Sequence, residues 1–328
     1  MTAISIKNLK KTYDNGFVAL KGIDLEIKKG DFFALLGPNG AGKSTTIGIL
    51  NSLVRKTSGT VKIGGIDIDE NFDFAKTKLG VVPQEFNFGI FEKVKDIIST
   101  QAGYYGIPKK QALENTDILL KQLGLWEKRD VMARMLSGGM KRRLMIARAL
   151  VHKPEILILD EPTAGVDVEL RNSMWEFITK LNKDGTTIIL TTHYLEEAEE
   201  LCKNIAIIDN GEILQNSSMK DLLKTSSKQT IVLDTKENLS ITPTIKKCQV
   251  KKVDENTLEI IFDSEKITLN EIFHKLYEKN IIVQSMRNKQ NRLEELFLEI
   301  TKKKPESVPK EQTKKQENTN EGNKKWQD

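Results

Sequence analysis

Phe32-Phe33-Ala34-Leu35-Leu36 runs directly into Gly37-Pro38-Asn39-Gly40-Ala41-Gly42-Lys43-Ser44-Thr45, and no other stretch limits the fold of this chain as tightly. Five successive apolar residues with no polar face suit a strand covered on both sides, the kind found in parallel sheets. The glycines allow the backbone to curl around an anion, and the segment from about Lys43 to Leu53 reads as a helix. Strand, Gly-x-x-x-x-Gly-Lys-Ser loop and helix, in that order, make a phosphate cradle, because bare N–H groups and the positive helix end face the anion. Lys43 is expected to reach the β and γ oxygens of a nucleotide, and the Ser44 hydroxyl to ligate Mg²⁺.

Ile156-Leu157-Ile158-Leu159 is a second apolar run, and it delivers two acids, Asp160 and Glu161, at its end. Ligands gather at the carboxyl ends of parallel strands. Asp160 is therefore expected in the Mg²⁺ shell, and Glu161 beside the attacking water as general base or water-orienter. Thr187 to Leu190 and Ile205 to Ile208 repeat the short apolar pattern and alternate with helical segments. Between Leu79-Gly80-Val81-Val82, a buried strand ending at Pro83-Gln84, and the acids, residues about 90 to 150 carry apolar side chains at helical spacing. The first 30 or so residues alternate instead (Ile4, Ile6, then Ile23, Leu25, Ile27) and predict half-buried antiparallel strands, with a hairpin over Gly59 to Ile68.

A polar stretch from Asn216 to Lys228 reads as a boundary. Beyond it, strands are expected at Thr230 to Leu233, Gln249 to Val253, Leu258 to Phe262 and Ile281 to Met286. Helices are expected near Leu269 to Lys279 and Arg292 to Thr301. From Lys302 onward almost nothing can be buried, which predicts disorder. This tail supplies much of the net charge of +5, since residues 301–328 hold eight lysines against five acids. The rest is close to neutral with scattered aromatics, so no nucleic-acid partner is expected. Two cysteines, Cys202 and Cys248, and three dispersed histidines exclude a disulfide scaffold and a structural zinc site. No apolar run is long enough to cross a bilayer, and the start of the chain lacks the apolar core of a signal peptide, so a cytoplasmic location is expected.

Leu136-Ser137-Gly138-Gly139 heads a basic helix and also suits an anion, although the chain already has a better cradle. With Gly37 to Thr45 before it and Ile156 to Glu161 after it, this segment makes the chain resemble an ABC-type ATPase subunit over residues 2–220. The resemblance implies that Ser137, Gly138 and Gly139 cap the γ-phosphate of ATP held by a second copy, or by a homologous ATPase subunit, in a head-to-tail dimer. It implies that Tyr13 stacks on adenine and that Gln84 contacts the γ-phosphate and the Mg²⁺ site while linking to a membrane subunit. It further implies that Asp167, in Ala164-Gly165-Val166-Asp167, meets the opposing phosphate loop, and that His193 contacts the γ-phosphate. Met140 stands where the family often has glutamine, and Val166 where leucine is commoner; neither removes a side chain needed at phosphate. Lys141-Arg142-Arg143 reads as a solvated helix face.

The expected fold is thus α/β: a P-loop NTPase core over 2–220 with an antiparallel β subdomain and a helical insertion at about 90–150. A small α+β domain over 228–301 and a disordered tail over 302–328 follow. With one P-loop and no span, the chain resembles the separately encoded ATP-binding subunit of a transporter, using ATP and Mg²⁺ on the cytoplasmic face of the membrane. Its permease would be another chain, received by Glu85 to Glu92 and the helix ending near Tyr104 to Pro108. Arg292 to Ile300 is similar to the terminal helix of subunits serving drug, polysaccharide or lipid exporters, so export is the expected direction. The alternative is a soluble ABC ATPase acting on nucleic acid, ribosomes or cofactor assembly. Such proteins tend to carry coiled-coil or zinc-hook insertions or duplicated cassettes, and the sequence has none.

Overall fold

The computed structural model describes residues 1–163, 166–225, 228–239, 241–289 and 292–302. Ala164 and Gly165 and the tail from 303 onward lie outside the described residues.

Strands β1 (Thr2–Thr12) and β2 (Val18–Lys28) pair antiparallel, and their alternating residues Ile4, Ile6, Ile23, Leu25 and Ile27 are all buried. Next come β3 (Phe32–Leu36), α1 (Lys43–Leu50), and the hairpin of β4 (Ser58–Ile63) and β5 (Ile66–Asp67), which returns to β1 and gives a sheet of order β2-β1-β4-β5. α2 (Phe72–Thr77) and β6 (Leu79–Val82) lead into the helical insertion: α3 (Val94–Tyr104), α4 (Lys109–Gln122) and α5 (Gly138–Leu150). The chain then alternates through β7 (Ile156–Asp160), α6 (Val168–Lys183), β8 (Thr187–Thr191), α7 (Leu195–Leu201), β9 (Asn204–Asp209), β10 (Glu212–Ser218) and α8 (Met219–Thr225). A second sheet has the order β10-β9-β3-β8-β7-β6 and is parallel except for β10 at its edge.

The apolar runs are continuous because this sheet is covered on both faces. Phe32, Ala34 and Leu36 face one core with the helical insertion and α6 to α8; Phe33 and Leu35 face the other with α1 and the antiparallel sheet. Helix α1 stops three residues short of the expected Leu53. Ser52 adopts φ +67, and the N–H groups of Leu53 and Val54 both turn back to the Gly48 carbonyl, closing the helix in a left-handed cap.

The polar stretch 216–228 is not a bare boundary. Asn216 to Ser218 finish β10 against β9, and Met219 and Leu222 of α8 are buried in the larger core. Beyond it, β11 (Lys228–Thr235), β12 (Cys248–Lys252), β13 (Thr257–Asp263) and β14 (Val283–Asn288) form an antiparallel sheet of order β12-β13-β11-β14. Helix α9 (Leu269–Tyr277) opens with a capping box between Thr268 and Glu271 and lays Ile272 and Leu276 on that sheet, completing a separate apolar cluster. The last helix, α10 (Arg292–Lys302), packs elsewhere: Leu293 and Leu296 join Met219 and Leu222 in the first core, against α7 and α8. Among the described residues no helix is long and apolar enough to cross a membrane.

Candidate nucleotide site

Strands β3, β7 and β8 are parallel neighbours, so their carboxyl ends open on the same edge. The loop after β3 winds tightly into α1. At Gly37 a Cβ would lie 2.2 Å from the Ile208 carbonyl oxygen, and Gly42 holds φ +113, so side chains are excluded at both positions. Gly42 caps α1 without any side-chain hydrogen bond, which leaves the first-turn N–H groups of that helix to an incoming anion. Lys43 Nζ donates to the carbonyls of Gly37 and Pro38 at 2.7 and 3.0 Å. Burial lowers its pKa, against the pull of Glu161 and Asp160.

At the end of β7 the backbone of Glu161 is left-handed, with φ +47, and its N–H donates to the Thr191 carbonyl on β8 at 3.0 Å. A non-glycine residue in that region stores strain, and here the turn aims the carboxylate into the cleft. Two groups flank its Oε2: Gln84 Nε2 donates to it at 2.9 Å, and His193 Nδ1 lies 3.2 Å away. The Thr191 hydroxyl donates to Asp160 Oδ1.

These parts enclose a cleft of about 610 Å³ lined by Asn39, Gly40, Gly42, Lys43, Ser44, Thr45, Gln84, Asp160, Glu161 and His193, together with Phe17 and Ala19. Tyr13 stands beside it, its hydroxyl 3.3 Å from Thr45 Oγ1 and its ring stacked on Phe17 at 6.4 Å. Ser137, Gly138, Gly139 and Asp167 do not line the cleft. Ser137 caps α5 by accepting from Met140 N at 3.3 Å, which leaves its own O–H free to donate; Asp167 caps α6 by accepting from Leu170 N at 2.9 Å. Both caps are exposed, and the two helix starts adjoin, with the Leu170 side chain directly over Gly139.

Residues 20–164 match the family described as ABC transporter. The chain is 36% identical to the linearmycin resistance ATP-binding protein LnrL of Bacillus subtilis (strain 168), over 91% of this chain and 98% of that protein. This chain belongs to the ABC transporter family. It is also 40% identical to the Nod factor export ATP-binding protein I of Cupriavidus metallidurans, over 68% of this chain and 74% of that one. A solved dimer of an ATP-binding cassette in a post-hydrolysis state, bound to ADP and Pi, superimposes with a TM-score of 0.60 at 30% identity, covering 66% of this chain and 98% of that one. This ABC protein is an ATPase, the ATP-binding and ATP-hydrolysing subunit of a transporter.

Three side chains of the ABC subunit escaped the sequence reading. Phe17, rather than Tyr13 alone, presents an aromatic ring to the cleft. Arg142 is no solvated residue: it is 4% exposed and donates to the carbonyls of Pro83 and Gln84, while burial lowers its pKa against the opposing pull of Asp160 and Glu161. Glu197 of α7 is buried, with its Oε1 accepting from the Thr163 hydroxyl and its Oε2 from the Thr192 hydroxyl at 2.7 Å. It thereby braces the segments that carry Glu161 and His193. Burial raises its pKa, and the bond from Thr192 opposes this.

Proposed function

We propose that this ABC ATPase subunit powers export through a separate membrane-spanning partner by closing head to tail, around ATP, on a second copy of itself or on a homologous ATPase subunit. One observation carries the reading: the phosphate loop, acids and histidine share one cleft, while Ser137, Gly138 and Asp167 stand exposed, and Gly139 half-buried, outside it on two adjoining helix starts. A serine hydroxyl and the open N-terminus of a 13-residue helix, unused by their own chain's cleft, suit a phosphate presented by a neighbour.

Within the cleft, the free N–H groups of α1 and the Lys43 ammonium take the phosphate charge, and Phe17 with Tyr13 offers stacked rings for the base. Glu161 orients or deprotonates water, steadied by Gln84, and His193, 3.2 Å from the Glu161 carboxylate, contacts the γ-phosphate. The donor set fits Mg²⁺: the Ser44 hydroxyl, the Asp160 oxygen not engaged by Thr191, and the Gln84 amide oxygen, free because its nitrogen serves Glu161. Bound there, the ion would offset charge on the transferring phosphoryl group.

The segment after β6 and the end of α3 expose Phe86, Ile90, Phe91 and Tyr104. Large apolar side chains exposed on the segment that follows Gln84 and on the end of α3 suit a protein contact, which we assign to the permease at the cytoplasmic face of the membrane. The relatives named for Nod factor export and linearmycin resistance favour export as the direction.

Complementation tests the shared site. Ser137→Arg and Lys43→Ala should each abolish hydrolysis alone, and mixing the two proteins should restore one intact composite site. No recovery between two folded variants refutes the head-to-tail arrangement. Co-purification of a multi-span protein from detergent-solubilised membranes tests the partner.

A further inference from the structure

The turn that follows β6 is strapped to helix α5 by two arginine forks. Arg142 donates from Nη1 to the Pro83 carbonyl and from Nη2 to the Gln84 carbonyl, each at 2.9 Å. Farther along the same helix, Arg148 donates from Nη1 to the Asn87 carbonyl at 2.9 Å and from Nη2 to the Asn87 side-chain oxygen. The Phe86 ring lies 5.2 Å from the Arg142 guanidinium. The two arginines thus grip both ends of the segment 83–87.

Of the two, Arg142 is the more exacting to keep. It is buried, its Nε has no acceptor, and the groups it grips are neutral carbonyls. Desolvating a charge on these terms is costly, and a side chain needed only to fill space would be apolar. What a guanidinium adds is a rigid planar fork, which fixes the direction as well as the distance of two acceptors.

The fork joins two parts of the site. On one side, the residue whose carbonyl it holds, Gln84, donates to Glu161 at 2.9 Å in the chain's own cleft. On the other side, α5 begins at Gly138 with Ser137 as its cap, the surface offered to a neighbour's nucleotide. We propose that Arg142 is a positioning residue that makes α5 and the Pro83–Gln84 turn one moving unit, so that the Gln84–Glu161 contact in one cleft sets where Ser137 and Gly139 stand for the opposite cleft. This rests on the head-to-tail reading above. The phosphate loop and Lys43 lie on other elements and the fork holds only the backbone of Gln84, so a single chain keeps its main ATP contacts without the fork; closure and turnover depend on it.

The test uses the full chain in two backgrounds. In Glu161→Gln protein, ATP-driven dimerisation is followed by analytical ultracentrifugation and ATP affinity by equilibrium dialysis, with and without Arg142→Met or Arg142→Lys. Arg142→Met should raise the ATP concentration for half-dimerisation at least tenfold while the monomer's affinity stays within twofold. Arg142→Lys, which keeps the charge but loses the fork, should fall between. With Glu161 intact, Arg142→Met should lower kcat at least tenfold with KM within twofold. Dimerisation and kcat equal to the parent overturn the proposal. If Arg142→Met does not fold, the same equality in Arg142→Lys overturns it. A Glu161→Gln parent that stays monomeric with ATP refutes the head-to-tail reading, and the link between clefts falls with it; loss of ATP affinity in step with dimerisation shows ordinary structural damage and also refutes the proposal.

Discussion

The six-stranded sheet and the C-terminal sheet each back an apolar core, yet only the first lines a nucleotide cleft. The difference is direction. In the parallel sheet, β3, β7 and β8 end on one edge, so the phosphate loop, Glu161 and His193 arrive together although they are distant in sequence. In the antiparallel sheet, adjacent strands end on opposite edges, and no residue of it lines the cleft. The small sheet spends its apolar residues on its own cluster with α9, while α10 crosses back to the larger core.

The sharpest way to break this contrast is Lys43→Ala. Removing one preorganised cation at the phosphates should cut hydrolysis about a hundredfold or more, with the melting transition unchanged; activity near wild type would show that the cleft is not the reaction centre. A pair of leucine truncations separates the two cores. Leu293 and Leu276 are both fully buried, but Leu293 packs in the first core and Leu276 beneath the small sheet. Each change to alanine should cost about 2–5 kcal/mol. Leu293→Ala should lower the stability of the ATP-binding unit, whereas Leu276→Ala should loosen only the small sheet and leave ATP binding intact. Hydrogen exchange resolved by region reads this directly, and identical patterns would mean that the two clusters unfold as one.

Phe17→Ala should raise KM for ATP about fivefold or more, since losing an aromatic platform under a base costs about 1–3 kcal/mol. Unchanged KM would return the base to Tyr13 alone. The smallest effect is a slope. Glu197 holds its proton more tightly when folded, because burial raises its pKa above the usual 4.5. Its relative contribution to stability is therefore complete below that value and is lost as pH rises through the raised one. Glu197→Gln should thus gain melting temperature relative to wild type as pH rises from 4.5 toward neutrality; parallel pH profiles would show that the carboxyl is not desolvated.

What could be read in the sequence was what is local. Gly37 to Ser44 carries its meaning in a few adjacent residues, as does the apolar run that delivers Asp160 and Glu161. Arg142 was misread because its partners, Pro83 and Gln84, lie 59 and 58 residues away and a basic triplet has the same appearance when solvated. Glu197 hides among Glu196, Glu199 and Glu200, and only packing decides which acid turns inward. The polar letters of 216–225 conceal Met219 and Leu222, two apolar residues at helical spacing that are enough to dock α8. Phe17 is far exposed, and nothing in an aromatic at a strand entrance distinguishes a platform from ordinary surface.

The return of α10 to the larger core bears on how the protein is made. A chain emerging from the ribosome completes the phosphate loop and all six strands of the main sheet early, but Leu293 and Leu296 arrive only after the entire small sheet has been synthesised. Until then Met219 and Leu222 have an uncovered side, and a nascent chain interrupted in the small sheet would carry an intact cradle on an unfinished hydrophobic surface.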